Sequence, residues 1–498
     1  MSENGEYPAA SRSIMASMRL DPTTCYRALR ARDARFDGRF FVAVSSTRIY
    51  CRPVCTVRPP RRENCRYYPS AAAAEAAGYR PCLRCRPELA PGNATIDAVQ
   101  RTARAAALLI EEGSVNEAGI EAAAGRLGIT DRHLRRAFQA EFGVSPVAFA
   151  QTQRLLLAKQ LLTDTRMPVT EVAFASGFGS VRRFNALFRE RYRLRPRELR
   201  KASLPDAGDA LAFELGYRPP YDWRAIADFL GARAIAGVEA CDGEAYRRTV
   251  RVASGGTRHS GWIEIAPAGA KPALRVRVAA SLGKALPPVL ARVKMLMDLA
   301  CHPAEVALAL GPLAARRPGM RVPGAFDGFE IALRAILGQQ VSVAAARTLA
   351  GRFAAAFGEP IETPFDSLGT VFPGAARIAA LPSPKIARLG VPAARSRTIV
   401  ALARAVAGGE LDLSPGAEVE PTLAKLRALP GVGEWTAQYV ALRALAWPDA
   451  FPHTDYGVMK ALKLTDPKRV LAAAERWRPW RAYAVMHLWQ SLAKGERR

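Results

Sequence analysis

Six of the chain's eight cysteines fall before Arg86, and four of them form two close pairs: a C-x3-C pair (Cys51, Cys55) and a C-x2-C pair (Cys82, Cys85). Two such pairs bring four thiolates to one tetrahedral ion, and zinc is the natural occupant of an all-sulfur site. Ordinary buried cysteines are the competing reading. A disulfide framework is not expected, because only Cys241 and Cys301 follow. Cys25 and Cys65 lack a pairing pattern and are assigned to packing. A module tied by one metal is small, and 498 residues exceed what one hydrophobic core supports, so about three domains are expected.

Charge narrows the partners. Seventy-two Lys and Arg against forty-five Asp and Glu leave +27, which favours a polyanion, with nucleic acid ahead of an anionic membrane surface. No apolar run reaches membrane-spanning length and no signal-peptide core opens the chain, so a soluble, cytoplasmic protein is expected. Pro/Gly-containing breaks at 86–97 and 201–210 separate a Cys-rich module, a helical module and a large third unit. The third opens with alternating stretches such as "YRRTVRVA" and "LRVRVAA", which read as strands, and becomes helical from about Leu286.

Around the paired cysteines the sequence is basic, with Arg48, Arg52, Arg58, Arg61, Arg62, Arg80, Arg84 and Arg86. Such a run is often a solvated face. Nearly all of one sign beside a metal site, it favours phosphate contact, with Arg58 and Arg80 as candidates. Over roughly residues 21–90 the sequence resembles the methyl-acceptor domain of the Ada family, with "TRIYCRPVC" and "GYRPCLRC" at the four ligand positions. The resemblance implies that Cys51 accepts a methyl group from a DNA methylphosphotriester, while Cys55, Cys82 and Cys85 stay ligands. A metal-held thiolate is a suitable nucleophile for that role.

Two segments repeat at an offset of fifty residues, "EAAAGRLGITDRHLRRAFQAEFGVSP" from Glu121 and "EVAFASGFGSVRRFNALFRERYRLRP" from Glu171. Ala123 matches Ala173, Leu134 matches Phe184, Phe138 matches Phe188 and Pro146 matches Pro196. Apolar residues at helical spacing around a short Gly-containing turn suit two helix-turn-helix units. Plain packing helices share that pattern, but fourteen basic and six acidic residues between Asp131 and Arg200 favour DNA. The region resembles AraC-type DNA-binding domains over about 96–200. The second helix of each unit would enter the major groove, with Arg132, Arg135, Arg182 and Arg183 as candidate contacts.

"LPGVGEWTAQYV" (429–440) places two glycines and a proline inside a helical stretch. A Gly/Pro turn suits a helix-hairpin-helix, where Gly431 and Gly433 let backbone N–H groups reach a phosphate, although helix C-caps use the same residues. Twenty residues after Trp435 comes Asp455, in "FPHTDYGVMK". Alone, such an Asp is a helix N-cap. With the hairpin at this spacing it is a candidate catalytic carboxylate.

From about Gly216 onward, "RPPYDWRAIADFLGARA", "RAILGQQVSV", "LPGVGEWTAQYVALRA" and "RWRPWRAYAVMHLW" resemble successive landmarks of the DNA-3-methyladenine glycosylase II (AlkA) family of helix-hairpin-helix glycosylases. That resemblance implies a base pocket lined by Trp435, Tyr439 and Trp489, with Phe229 a weaker member, Asp455 as the catalytic anion, and base flipping. Relatives that also cut the strand carry a lysine where Trp435 stands. An indole cannot form a Schiff base, so the expected reaction is hydrolysis alone. The family wedges a leucine, preceded by glutamine, into the gap in the duplex. Here the pair is Gln339 and Gln340, so the wedge is polar.

The expected fold is multidomain, mainly α with α+β parts. It comprises a zinc-bound α/β module (19–90), an all-α double helix-turn-helix (96–200), a β-sheet subdomain (211–285) and an all-α helix-hairpin-helix glycosylase (286–498). The expected function is excision of alkylated bases such as 3-methyladenine and 7-methylguanine, joined to a methylation-switched regulator. The competing expectation is an activator whose glycosylase-like half is not catalytic. Expected partners are alkylated and promoter duplex DNA, and RNA polymerase for activation, with the chain a monomer. Zinc is the expected ion of the first module, and no cofactor is expected for base excision. Neither a Pro-Cys-His-Arg methyltransferase sequence nor a downstream four-cysteine cluster occurs, so guanine O6 repair and an iron–sulfur centre are not expected.

Overall fold

The computed structural model describes residues 21–92, 98–113, 115–200, 210–414 and 416–493. The expected start at residue 19 and parts of both linkers, 93–97 and 201–209, lie outside the described residues. Among the described residues no helix is long and apolar enough to cross a membrane.

The first module is a four-stranded sheet beside two helices, Pro22–Ala31 and Ala71–Ala76, whose N-caps are Asp21 and Ser70. Strands β1 (Phe41–Val44), β2 (Ile49–Cys51), β3 (Cys65–Tyr68) and β4 (Arg80–Pro81) lie in the order β3-β1-β2-β4. The β2–β4 pair is parallel, with Ile49 opposite Arg80 and Tyr50 opposite Pro81. That register carries both strands into their cysteines side by side, since Cys51 and Cys82 each follow directly. Cys25 and Cys65 pack with Phe40 and Val42 in a separate small core.

Two helix-turn-helix units follow. The helices Asp131–Phe142 and Val181–Tyr192 occupy equivalent places, capped by Thr130 and Ser180. The repeated apolar residues Leu134, Phe138, Phe184 and Phe188 are fully buried. The core of the first unit also takes in Ala72 and Ala73 of the Cys-rich module.

The second unit packs on the other side. Its Phe184, Phe188 and Tyr192 belong to one continuous core with the sheet that follows. That sheet is wholly antiparallel, in the order β5-β9-β8-β7-β6: β5 (Ala210–Gly216), β6 (Glu239–Cys241), β7 (Tyr246–Ser254), β8 (Thr257–Pro267) and β9 (Ala273–Ala279). The expected strands are β7 and β9; β5, β6 and β8 join them. Helix Leu286–Leu296 begins the helical remainder, interrupted by a two-residue pairing of β10 (Glu359–Pro360) with β11 (Thr370–Val371).

The junctions are polar and buried. Lys159 of the helix-turn-helix region donates to both oxygens of Glu88 in the first module, at 2.6 and 2.7 Å. Glu75 accepts from Tyr50 and Thr152, both at 3.0 Å, and burial pushes its carboxyl up to about 7. Arg39 pairs with Glu305 of the C-terminal helical part at 2.6 Å, with both side chains partly exposed. Removing one partner of a buried pair such as Lys159 and Glu88 leaves an uncompensated buried charge, so these contacts fix how the units sit together. They also correct the picture of one basic face. Arg52 is buried against Asp37, and Arg86 is spent on Glu88 and Asp164. Arg58, Arg61, Arg62 and Arg84 remain exposed.

Candidate active site and metal centre

The sulfurs of Cys51, Cys55, Cys82 and Cys85 all lie within 4.8 Å of one another. A zinc–thiolate tetrahedron with bonds of about 2.3 Å has edges of about 3.8 Å, so the four fit one ion with little movement. The Arg52 N–H donates to the Cys85 sulfur at 3.4 Å, and the backbone N–H groups of Val57 and Cys85 face Cys55 and Cys82. A hydrogen-bonded thiolate is the weaker nucleophile, which favours Cys51. Its residue is 6% exposed.

The hairpin forms as its sequence suggests. Helix Val419–Ala428 ends in the turn 429–433, and helix Glu434–Arg443 begins from Gly433. The two glycines have different reasons. Gly431 has φ +85°, and an added Cβ would lie 2.4 Å from the Thr398 hydroxyl, which itself donates to the Pro430 carbonyl. The protein alone requires glycine there. Gly433 is extended, with φ −95° and ψ −178°, and a Cβ on it would meet nothing within 4 Å. Nothing in the surrounding protein requires glycine there, which leaves the turn open on its outer side. A Gly433→Ala variant is therefore expected to keep its melting temperature within a few degrees while binding duplex DNA about tenfold more weakly, read by titration at fixed salt.

Asp455 caps a helix and also meets two indole rings. Its carboxylate caps helix Tyr456–Leu462 by accepting the Val458 N–H at 2.9 Å. It also accepts the indole N–H of Trp435 at 2.7 Å and that of Trp489 at 2.8 Å. Three donors and no competing acceptor suit a carboxylate anion. Gly457 is needed for this closeness: its Cβ would stand 3.1 Å from both the Asp455 carboxylate and the Trp489 ring.

The rings gather beside it. Trp435 and Tyr439, one turn apart, stack at 5.4 Å between centroids, and Trp489 is 6.3 Å from Tyr439. Phe229 lies nearly parallel to Trp489 at 6.2 Å. The four expected pocket residues are thus brought together. However, the Arg233 guanidinium stacks 3.8 Å from the Phe229 centroid, with Arg443 at 4.9 Å, so Phe229 already carries cations. Arg443 also donates to the Tyr439 hydroxyl at 2.9 Å. Burial pushes that phenol up, but Arg443, Arg233 and Arg334 together hold it below the ordinary tyrosine range. Arg443 follows Tyr439 by four residues on one helix face, whereas Arg233 reaches Phe229 from the turn just after helix Trp223–Gly231.

Gln339 and Gln340 separate in role. The Gln339 amide donates to the Gly431 carbonyl at 2.9 Å and the Thr436 hydroxyl at 3.0 Å, tying its loop to the hairpin. Gln340 is exposed with φ +54°, between that tie and the exposed Val341. In the reader, Arg132, Arg135, Arg182 and Arg183 are exposed on the two equivalent helices, as is Arg136; Arg135 pairs with Asp131 at 2.6 Å. Arg80, on β4, is partly exposed.

Family models match four stretches: the metal binding domain of Ada (24–88), a helix-turn-helix domain (123–202), the AlkA N-terminal domain (212–327) and the HhH-GPD superfamily of base excision DNA repair proteins (333–479). The probable bifunctional transcriptional activator/DNA repair enzyme AlkA of Mycobacterium tuberculosis (strain H37Rv) is 40% identical over 94% of this chain and 96% of its own length. DNA-3-methyladenine glycosylase 2 of Escherichia coli (strain K12) is 37% identical over 56% of this chain and 96% of its own. The bifunctional transcriptional activator/DNA repair enzyme Ada of the same organism is 37% identical over 30% of this chain and 40% of its own. With a four-thiolate centre, a doubled helix-turn-helix and a hairpin beside a ring-flanked carboxylate in one chain, and kinship along nearly its whole length, this protein belongs to the family of bifunctional transcriptional activator/DNA repair enzymes in which Ada-type and AlkA-type parts are joined.

Proposed function

We propose that the C-terminal half excises alkylated bases from duplex DNA by hydrolysis. We propose too that Cys51 takes up methyl groups from phosphotriesters, so that the helix-turn-helix units report damage at promoters. The observation that carries the first reading is the Asp455 carboxylate held between the indole N–H groups of Trp435 and Trp489, at 2.7 and 2.8 Å. A carboxylate so fixed cannot swing away, and its charge lies where a sugar becomes cationic as its base departs.

In that step the C1′–N bond breaks, its electron pair leaves with the base, and water adds to C1′ while losing a proton. Asp455 stabilises the developing cation and aligns the water. Trp435, Tyr439 and Trp489 offer ring faces to a base that carries positive charge, and Gly431, Gly433 and Gln340 contact the backbone and the gap left in the duplex. The indole of Trp435 is already bonded to Asp455 and has no amine to form a Schiff base. In the N-terminal module, zinc when bound would keep the four sulfurs deprotonated at neutral pH. The Cys51 sulfur forms a bond to the methyl carbon as the methyl–oxygen bond breaks, and the phosphodiester leaves with that electron pair. Arg58 and Arg80 would hold the backbone for this transfer, and Arg132, Arg135, Arg182 and Arg183 would read the promoter. The division at 19–90, 96–200, 211–285 and 286–498 assigns one task to each of the first two units and base excision to the last pair.

Methylated duplex DNA provides the test. Free 3-methyladenine should appear, with strands that stay intact until alkali is added. Strand breaks without alkali would overturn the assignment to water, and bases left intact despite methyl uptake would leave only the regulator.

A further inference from the structure

Asp455 arrives at its indoles on a short loop, 451–454, between helix Glu434–Arg443 and helix Tyr456–Leu462. Within that loop His453 donates to the Phe451 carbonyl and Asp455 to that of Pro452, both at 2.9 Å, so its shape is set locally. Its place against the hairpin helix is set elsewhere. The Phe451 backbone N–H donates to Gln438 Oε1 at 3.1 Å. The same carboxamide donates through Nε2 to Glu434 Oε1 at 2.9 Å, and the other Glu434 oxygen takes Arg427 at 2.8 Å. With a donor facing its oxygen and an acceptor facing its nitrogen, the amide has one orientation and cannot flip. Phe451 itself is buried, which clamps that end of the loop.

Gln438 thus joins two things that a base-excising site must keep in register. Glu434 directly follows Gly433 at the turn proposed to meet a phosphate, and the loop starting at Phe451 ends on the carboxylate. We infer that Gln438 is a positioning residue for Asp455: by receiving the Phe451 N–H while Glu434 holds its amide, it fixes where the carboxylate stands relative to a nucleotide gripped at the hairpin. This inference rests on the reading of Asp455 as the catalytic anion. Among the described residues Gln438 makes no hydrogen bond to the carboxylate or to the rings, so its effect passes through the loop.

The test is a double-mutant cycle in the full-length protein, using single-turnover release of 7-methylguanine from methylated duplex DNA. Gln438→Met keeps the side-chain length and packing but removes both hydrogen bonds. A misplacement of about 1 Å costs on the order of a hundredfold. Gln438→Met is therefore expected to slow the chemical step by about tenfold to a hundredfold, with DNA affinity changed by less than about threefold. Combined with Asp455→Asn, it should add no further loss, because no carboxylate remains to be positioned. A release rate for Gln438→Met within twofold of the parent, or losses that multiply in the double variant, would overturn the inference. If Asp455→Asn alone keeps the parental rate, the catalytic assignment itself is wrong, and that result is separate from any behaviour of Gln438. Melting temperatures of all three variants guard against a folding defect: a destabilised Gln438→Met would lose DNA affinity together with rate.

Discussion

An Asp455→Asn variant is expected to bind methylated duplex DNA as the parent does and to release free base about a thousandfold more slowly. The magnitude follows from the charge. Two unit charges about 4 Å apart at an effective dielectric near 20 interact by roughly 4 kcal/mol, which is about three decades in rate. The fold should tolerate the change, because asparagine caps a helix as well as aspartate does and one carboxamide oxygen still serves an indole. The lost indole bond costs about 1 kcal/mol. Single-turnover release of 3-methyladenine against duplex affinity separates the two effects. The rate loss should be larger for neutral lesions than for cationic ones, since a base that already carries positive charge leaves with less help. A variant with parental turnover would end the reading of this half as an enzyme.

Stripping the metal from the N-terminal module should have the largest structural effect. A structural zinc bound by thiolates contributes an apparent 10 kcal/mol or more to its fold, about as much as a whole domain's net stability of roughly 5–15 kcal/mol. The module is expected to unfold, and methyl uptake by Cys51 to fall from one per chain to none. The consequence should not stop there. Lys159 lies buried on Glu88, and Glu75 is buried against Tyr50 and Thr152. Losing the module leaves Lys159 without its counter-charge, at a cost of about 3–5 kcal/mol. Hydrogen exchange should therefore rise in helix Pro146–Asp164 as well as around the cysteines, and promoter binding should weaken together with methyl uptake. Exchange confined to residues 21–92, with the reader unaffected, would show that the buried junction does not couple the two.

Much of the molecule was legible because its signals are local. Pairs of cysteines two or three residues apart specify a metal site through ligand spacing, and parallel strand register then places Cys51 beside Cys82. The fifty-residue repeat and its apolar positions located the second helix of each helix-turn-helix unit. Trp435 and Tyr439 share a helix face because they are four residues apart. The same spacing would have flagged Arg443 beside Tyr439, whereas Arg233 reaches Phe229 from the turn that follows its helix. The basic run in the first module was misleading. Arg52 and Arg86 look like their neighbours in sequence, but buried carboxylates claim them.

Sequence by itself determined the local helices, the paired cysteines and the hairpin, because capping, periodicity and thiolate chemistry act over a few residues. Tertiary packing alone decided that Asp455 is held by Trp435 and Trp489, which lie twenty and thirty-four positions away. It also decided that the second helix-turn-helix shares a core with the glycosylase sheet. Those outcomes depend on which distant surfaces exclude water from one another, a property of the whole chain's shape that no short stretch of residues contains.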